Sequence, residues 1–308
     1  MKDQPQILIL GYGEMGHAME HLLCHRSASE HVHIWDKYPP AGFTSINLED
    51  GVPQADVIMN CLPVTPYREV LNSIAPLLKA DCLCIGLAKG LDSQGQCAAH
   101  VFADVLKNNH NYALLYGPMI SEEIRAGRFS FAQVLCEKEN TYDRVSQLFL
   151  QTRLVLTHTA DIKGASWAAI LKNIYAPLIG ISDELQMGDN VRGYLVSACL
   201  HEMDQIVRNK GGLSGTAFQA AGLADLITTA TSEGSHHYTL GRRLARGDTT
   251  DISGEGVHSL EMIKQHQLLN VSNYPLMQCI ALCIERPVDC HQFIEELFAS
   301  KGDASLTS

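Results

Sequence analysis

Apolar and polar positions follow two different periods along this chain. In the first half, short and nearly continuous apolar runs occur at Gln6–Leu10 (QILIL), His31–Asp36 (HVHIWD), Ala55–Pro63 (ADVIMNCLP), 81–88 (DCLCIGLA) and 112–117 (YALLYG). Between them, stretches such as EMGHAMEHLLCH and YREVLNSIAPLLK carry apolar residues at helical spacing. A strand covered on both faces has no polar side, so such runs alternating with helices predict a parallel sheet of βαβ units. The pattern changes near residue 160. Beyond it no strand is expected, and amphipathic helices are predicted over Gly164–Leu185, Asn190–Lys210, Ser235–Arg246, Glu255–His266, Pro275–Cys283 and Pro287–Phe298. The expected organisation is an α/β domain with a mostly parallel, doubly wound sheet over residues 1–160, then an all-α domain over 161–308. The small polar tail SKGDASLTS is expected to fray.

Composition narrows the possibilities. The chain has 308 residues, of which 46% are hydrophobic and 19% charged. That is ordinary for a globular protein with a sizeable core. The formal net charge of −11 repels phosphodiester backbones, so nucleic acid is not an expected partner. An anionic small-molecule substrate must instead be met by a local cluster of positive groups. No apolar stretch approaches the ~20 residues of a membrane span. The opening MKDQPQILIL runs directly into a strand, so no export signal and no membrane partner are expected. Ten cysteines (24, 61, 82, 84, 97, 136, 199, 279, 283 and 290) sit mostly inside apolar runs. They form no CxxC pair and no zinc-like spacing. They read as small buried hydrophobes in a reducing, cytoplasmic compartment, with no metal site.

The first chemical motif is LILGYGEMGHAME, which sets Gly11, Gly13 and Gly16 in G-x-G-x-x-G spacing. It follows a predicted strand and opens a predicted helix. The first glycine permits the tight turn, the second lets backbone approach a pyrophosphate, and the third lets helix pack on strand. Asp36 ends the second strand about 20 residues on, where a carboxylate binds the ribose 2′-hydroxyl. A carboxylate there repels a 2′-phosphate, although Lys37 beside it softens the effect. NAD is therefore expected over NADP.

The second feature is a lysine in an apolar helix: Lys172, beside Asn173, in SWAAILKNIYAPLIG. It is either a snorkelling surface residue or a charge held indoors, where desolvation lowers its pKa and suits it to proton transfer.

Together with the motifs around them, these residues resemble the NAD(P)-dependent glycerol-3-phosphate dehydrogenase family. GLAKGLD (Gly86–Asp92) is similar to the family's S-K-G-[LIF] segment, and YGPMISEEIRAG (Tyr116–Gly127) to its G-P-[ST]-[FN]-A-x-E-[VI] loop. Ile170–Met203 resembles its L-K-N…G…G-x-N helices, AGLADLITTATS (Ala221–Ser232) its [AG]-G-x-[GA]-D-L-x-x-T segment, and Glu255–Val257 its E-G-V. The resemblance implies a Rossmann domain followed by a helical domain of the 6-phosphogluconate dehydrogenase C-terminal type, forming a homodimer through the helical part. It implies hydride transfer at a secondary alcohol or ketone. Lys172 would be the acid/base, Asp225 would hold and tune it, and Lys89 would be a second positive group at substrate and cofactor. Asn173 and Thr229 would contact the substrate. Glu14, Met15, Leu62, Pro63 and Glu255 join the glycines and Asp36 on the cofactor side. Asp225 and Glu255 also fit helix caps, Lys89 also fits a solvated loop, and Ser121–Glu123 carries no assigned chemistry.

One segment departs from the family. Where its bacterial members follow D-L-x-x-T with S-R-N-R, whose arginine grips the substrate phosphate, this chain has Ser235-His236-His237-Tyr238. His236 or His237 could hold phosphate as an imidazolium, Arg242 or Arg243 could reach in from the next turn, or the substrate could carry a different group. Met119, Ile120 and Ser121 also depart from the loop pattern. Besides glycerol 3-phosphate oxidoreduction, two alternatives stand: a relative acting on another small hydroxy compound, and a non-catalytic NAD-binding regulator.

Overall fold

The computed structural model describes residues 4–24, 29–40, 42–107 and 111–304. Its strands are β1 (Ile7–Leu10), β2 (Val32–Trp35), β3 (Val57–Asn60), β4 (Leu83–Gly86), β5 (Asn111–Tyr116), β6 (Ser130–Leu135) and β7 (Leu154–Thr159). Its helices are α1 (Glu14–Cys24), α2 (Leu48–Gly51), α3 (Tyr67–Ile74), α4 (Ala98–Leu106), α5 (Ser121–Arg125), α6 (Glu139–Leu148), α7 (Ile162–Glu184), α8 (Asp189–Asn209), α9 (Asp225–Thr231), α10 (His236–Ala245), α11 (Glu255–Gln265), α12 (Pro275–Glu285) and α13 (Cys290–Ala304). The chain divides into two compact units, Met1–Asp92 with Gln96–Ser166, and Ser93–Gly95 with Trp167–Ser308.

The first unit is built on one sheet of order β2-β1-β3-β4-β5-β6-β7. The strands β2, β1, β3, β4 and β5 are parallel, β6 runs antiparallel to β5, and β7 parallel to β6. β1, β3 and β4 are buried at every position, as their continuous apolar sequences require. Two strands go beyond the sequence expectation. β6 (SFAQVL) exposes Phe131 and buries Gln133, which breaks the alternation that reveals a strand. β7 (LVLTHT) is an edge strand with mixed exposure, so neither period dominates it.

The second unit is helical among its described residues and is organised around α7. Every residue from Gly164 to Ser182 is buried, so α7 has no solvent face and is a core helix in the full sense. Glycines let its neighbours come close. A methyl on Gly180 would collide with the carbonyl of Tyr238, and one on Gly241 with the carbonyl of Pro177, so α7 and α10 touch backbone to backbone. A methyl on Gly256 would strike the carbonyl of Asn173, which sets α11 equally close.

A buried carboxylate ties α7 to two further helices. Tyr175 donates its hydroxyl proton to Glu202 of α8 at 2.7 Å, and Glu202 also accepts from the backbone N–H groups of Leu276 and Met277 at 3.0 and 2.9 Å. Those N–H groups belong to the open first turn of α12, whose N-cap position supplies no side-chain cap. Burial, and then the adjacent Glu202, push the Tyr175 hydroxyl well above its ordinary value, so it stays a donor. At the other end, α13 continues to Ala304 rather than ending near Phe298, and the last four residues of the tail lie outside the described residues.

None of the ten cysteines is in a disulfide, and eight of them are buried. No described helix is long and apolar enough to cross a membrane. Gly241→Ala tests the packing of α7 directly. Overpacking against the Pro177 carbonyl should cost about 1–3 kcal/mol, read as a lower urea midpoint with an unchanged slope.

Candidate active site

The strand order reverses at β1, where β2 lies on one side and β3 on the other. In open parallel sheets, ligands bind beyond the carboxyl ends of the strands at such a point. The glycine turn leaves β1 there. Gly11 has φ +92°, a left-handed conformation that favours glycine, and a methyl on it would lie 2.9 Å from the Leu62 side chain. A methyl on Gly16 would collide with the Gly11 carbonyl, whereas one on Gly13 would meet nothing within 4 Å. Two glycines are thus required by packing, while the middle one borders open space where a pyrophosphate would lie. Leu62, which precedes Pro63, follows β3, and its N–H bonds to the buried Asn60 side chain at 3.2 Å.

Asp36 closes β2. One carboxylate oxygen accepts from the Tyr12 N–H at 2.6 Å and the other from the Tyr38 N–H at 2.7 Å. Two backbone donors therefore fix the acidic residue beside the turn. Glu14 opens α1 with Met15 behind it, and the Glu14 carboxylate is paired with Arg125 of α5 at 2.6 Å. These residues fit a dinucleotide. The turn would hold the pyrophosphate and Asp36 the ribose.

Lys89 lies past β4, on a loop clamped by two buried tyrosines. Tyr67 accepts from the N–H groups of Leu87 and Ala88, and Tyr116 donates to the Ala88 carbonyl at 2.7 Å. The Lys89 ammonium donates to the Gly117 carbonyl at 2.9 Å. It is therefore anchored to the end of β5 and is not a freely solvated loop cation.

In the second unit, the ammonium of Lys172 is held indoors. The residue is 6% exposed and donates to Thr229 Oγ1 at 2.7 Å, with Asp225 Oδ1 at 3.2 Å. Asp225 and Thr229 are buried too. They stand four residues apart on α9, so one face of a helix presents both. The turn before α9 (Ala220–Ala224) is π-helical, a wider coil often found at functional sites. It delivers Asp225 as the first residue of α9. Asn173, adjacent on α7, donates from Nδ2 to Glu255 Oε2 at 3.3 Å. Lys172, Asp225 and Thr229 thus form one buried group, and beside it on α7 the buried Asn173 is bonded to the half-buried Glu255. No set of three or more potential metal ligands occurs among the described residues.

Known proteins share this chain's sequence pattern and fold. The sequence profile of the NAD-dependent glycerol-3-phosphate dehydrogenase N-terminus matches residues 37–142, and that of the C-terminus matches residues 161–295. The chain belongs to the NAD-dependent glycerol-3-phosphate dehydrogenase family. A relative from Gloeobacter violaceus, glycerol-3-phosphate dehydrogenase [NAD(P)+], is 27% identical over 280 residues, covering 88% of this chain and 89% of the relative. One from Mycobacterium avium is 30% identical over 197 residues, covering 64% of this chain and 58% of the relative. Among solved structures, glycerol-3-phosphate dehydrogenase from Coxiella burnetii shares the fold with TM-score 0.83 at 23% identity, covering 96% of this chain and 99% of that one.

The start of α10 carries the two histidines singled out in the sequence. His236 is exposed, and His237 is half-buried with its ring about 4.0 Å from where a Cβ on Gly254 would stand. His237 therefore faces the start of α11, next to Glu255. The nearby arginines are engaged elsewhere. Arg242 and Arg246 both bind Glu184, at 2.8 and 2.6 Å, and together pull its carboxyl down to about 2. Arg243 binds Asp248 at 2.9 Å and the Thr250 hydroxyl at 3.1 Å. Of the two arginines that could stand in for the family's arginine, Arg242 is thus paired with Glu184 and Arg243 with Asp248.

Two groups escaped sequence analysis. Glu202 sits in an amphipathic stretch as one acid among polar neighbours, and its place under α12 depends on tertiary packing. Arg125 belongs to a segment assigned no chemistry, yet it and Ser121 reach Glu14 from 111 and 107 residues away. Asp225→Ala should leave a buried ammonium short of its counter-charge and lower stability by about 3–5 kcal/mol. The double variant Lys172→Met/Asp225→Leu should recover most of that loss in the same urea titration.

Proposed function

We propose that this chain interconverts glycerol 3-phosphate and dihydroxyacetone phosphate with NAD(H), using Lys172 as the acid/base. The observation that carries this reading is the buried group of Lys172, Asp225 and Thr229, because a cell of partners around a desolvated ammonium is costly unless the charge is used. Bound nicotinamide supplies or accepts the hydride. In the reducing direction, Lys172 Nζ gives a proton to the carbonyl oxygen as negative charge develops there, and Asp225 stabilises the ammonium that is restored afterwards. Thr229 orients the lysine, and Asn173, held by Glu255, positions the substrate. Lys89 adds a second positive charge on the cofactor side. Asp36, fixed by two backbone donors, supports NAD over NADP. The physiological reading is ketone reduction in the cytoplasm by a homodimer, feeding lipid precursors.

A second reading has its own support. With Arg242, Arg243 and Arg246 committed to Glu184 and Asp248, the start of α10 offers histidines where the family offers an arginine. That favours a relative acting on a small hydroxy or keto compound with a weaker anion or none. NADH absorbance separates the readings. Oxidation with dihydroxyacetone phosphate supports the first, and oxidation only with other keto compounds supports the second. NADH bound but never oxidised supports a non-catalytic regulator.

Lys172→Ala should lower kcat by roughly 10²–10⁴-fold while NADH affinity, read by fluorescence titration, stays within a few-fold. Unchanged turnover removes Lys172 from the mechanism. His236→Arg should lower the KM for dihydroxyacetone phosphate, since an arginine fork grips phosphate at any pH. A higher KM would mean that the histidine pair is built for a different group.

A further inference from the structure

Glu14 occupies a contradictory position. It is the first residue of α1, the helix whose N-terminus follows the glycine turn and would face a pyrophosphate. A carboxylate in the first turn stabilises the helix when no ligand is present, because it offsets the positive end of the dipole. The same carboxylate repels an incoming phosphate. The chain answers with a second charge. Arg125 Nη2 meets Glu14 Oε2 at 2.6 Å, and Ser121 Oγ lies 3.1 Å from the same oxygen. Ser121 Oγ is also 3.1 Å from Glu122 Oε2, so its single proton is shared between two acids and cannot neutralise Glu14. Neutralisation falls to Arg125. Both side chains stay accessible, 63% for Glu14 and 40% for Arg125, so the pair borders solvent where a ligand arrives and is not locked in the core.

We propose that the Glu14–Arg125 ion pair sets the affinity of this chain for the pyrophosphate of its dinucleotide. Arg125 is a positioning residue. It cancels and orients the Glu14 carboxylate, and through it tunes the potential at the end of α1. The pair is a poor contributor to fold stability, as exposed pairs are, so its effect appears in binding. This rests on the dinucleotide-binding reading of the glycine turn.

The test is NADH titration by fluorescence with the full-length wild type, Glu14→Gln, Arg125→Gln, the double variant and Arg125→Lys. At low ionic strength, Arg125→Gln should weaken NADH binding about five- to tenfold and Glu14→Gln should tighten it by a similar factor. The double variant should return close to wild type, and Arg125→Lys should restore most of the loss. At about 0.5 M salt, where charges are screened over a few ångströms, the differences should collapse. Melting temperatures of the unliganded variants within a few degrees of wild type show that the fold is intact. If NADH binds the wild type and Arg125→Gln leaves the affinity unchanged, or Glu14→Gln weakens it, the ion-pair proposal is overturned while the cofactor reading survives. If the wild type binds no NADH, the cofactor reading fails and takes the proposal with it.

Discussion

An ammonium in a dry interior must find a counter-charge or give up its proton. Lys172 poses that demand at the centre of the helical unit, and much of the local architecture answers it. Asp225 provides the opposite charge and Thr229 accepts one of the ammonium's three protons. Burial of all three residues keeps water from screening the pair and makes each contact count for more than it would in solvent. The glycines at 180, 241 and 256 let α10 and α11 close on the same helix.

The sheet-based unit works by a different logic. There the functional positions are mainly backbone features: a left-handed turn, a carboxylate gripped by two N–H groups, and a lysine loop hung from two tyrosines. Family membership and this geometry agree on the cofactor side. In the helical unit the fold is likewise that of the family, and the start of α10 carries His236 and His237. Arg242 of α10 and Arg246 just beyond it close an ionic clamp on the end of α7 through Glu184, while Arg243 binds Asp248. A shared fold does not carry the chemistry with it, which rests on the side chains at the site.

Much of this was legible in the sequence, for identifiable reasons. β1, β3 and β4 announced themselves because burial on both faces forces continuous apolar runs, and the glycine turn because few other residues fit φ +92° or a collision-free Gly16. Lys172 stood out as a charge in an otherwise apolar helix. β6 and β7 did not show, since a strand with Phe131 outside and Gln133 inside obeys no simple period. Glu202 and Arg125 were invisible for a related reason. Each acquires meaning from a partner far along the chain, Leu276 and Glu14 respectively, and no local pattern encodes such a meeting. The destination of Arg242 and Arg243 was likewise undecidable until Glu184 and Asp248 were placed beside them.

The π-helical coil ahead of α9 has a consequence of its own. A π coil holds one residue more than an α coil, and each residue turns an α-helix by about 100°. Loss of a single residue between 220 and 224 could leave a regular helix and every side chain of α9 chemically unaltered, yet swing the acid and the hydroxyl away from the amine they serve. This stretch is thus constrained in length, and at Gly222, where a methyl would collide with the Ala217 carbonyl, in composition as well.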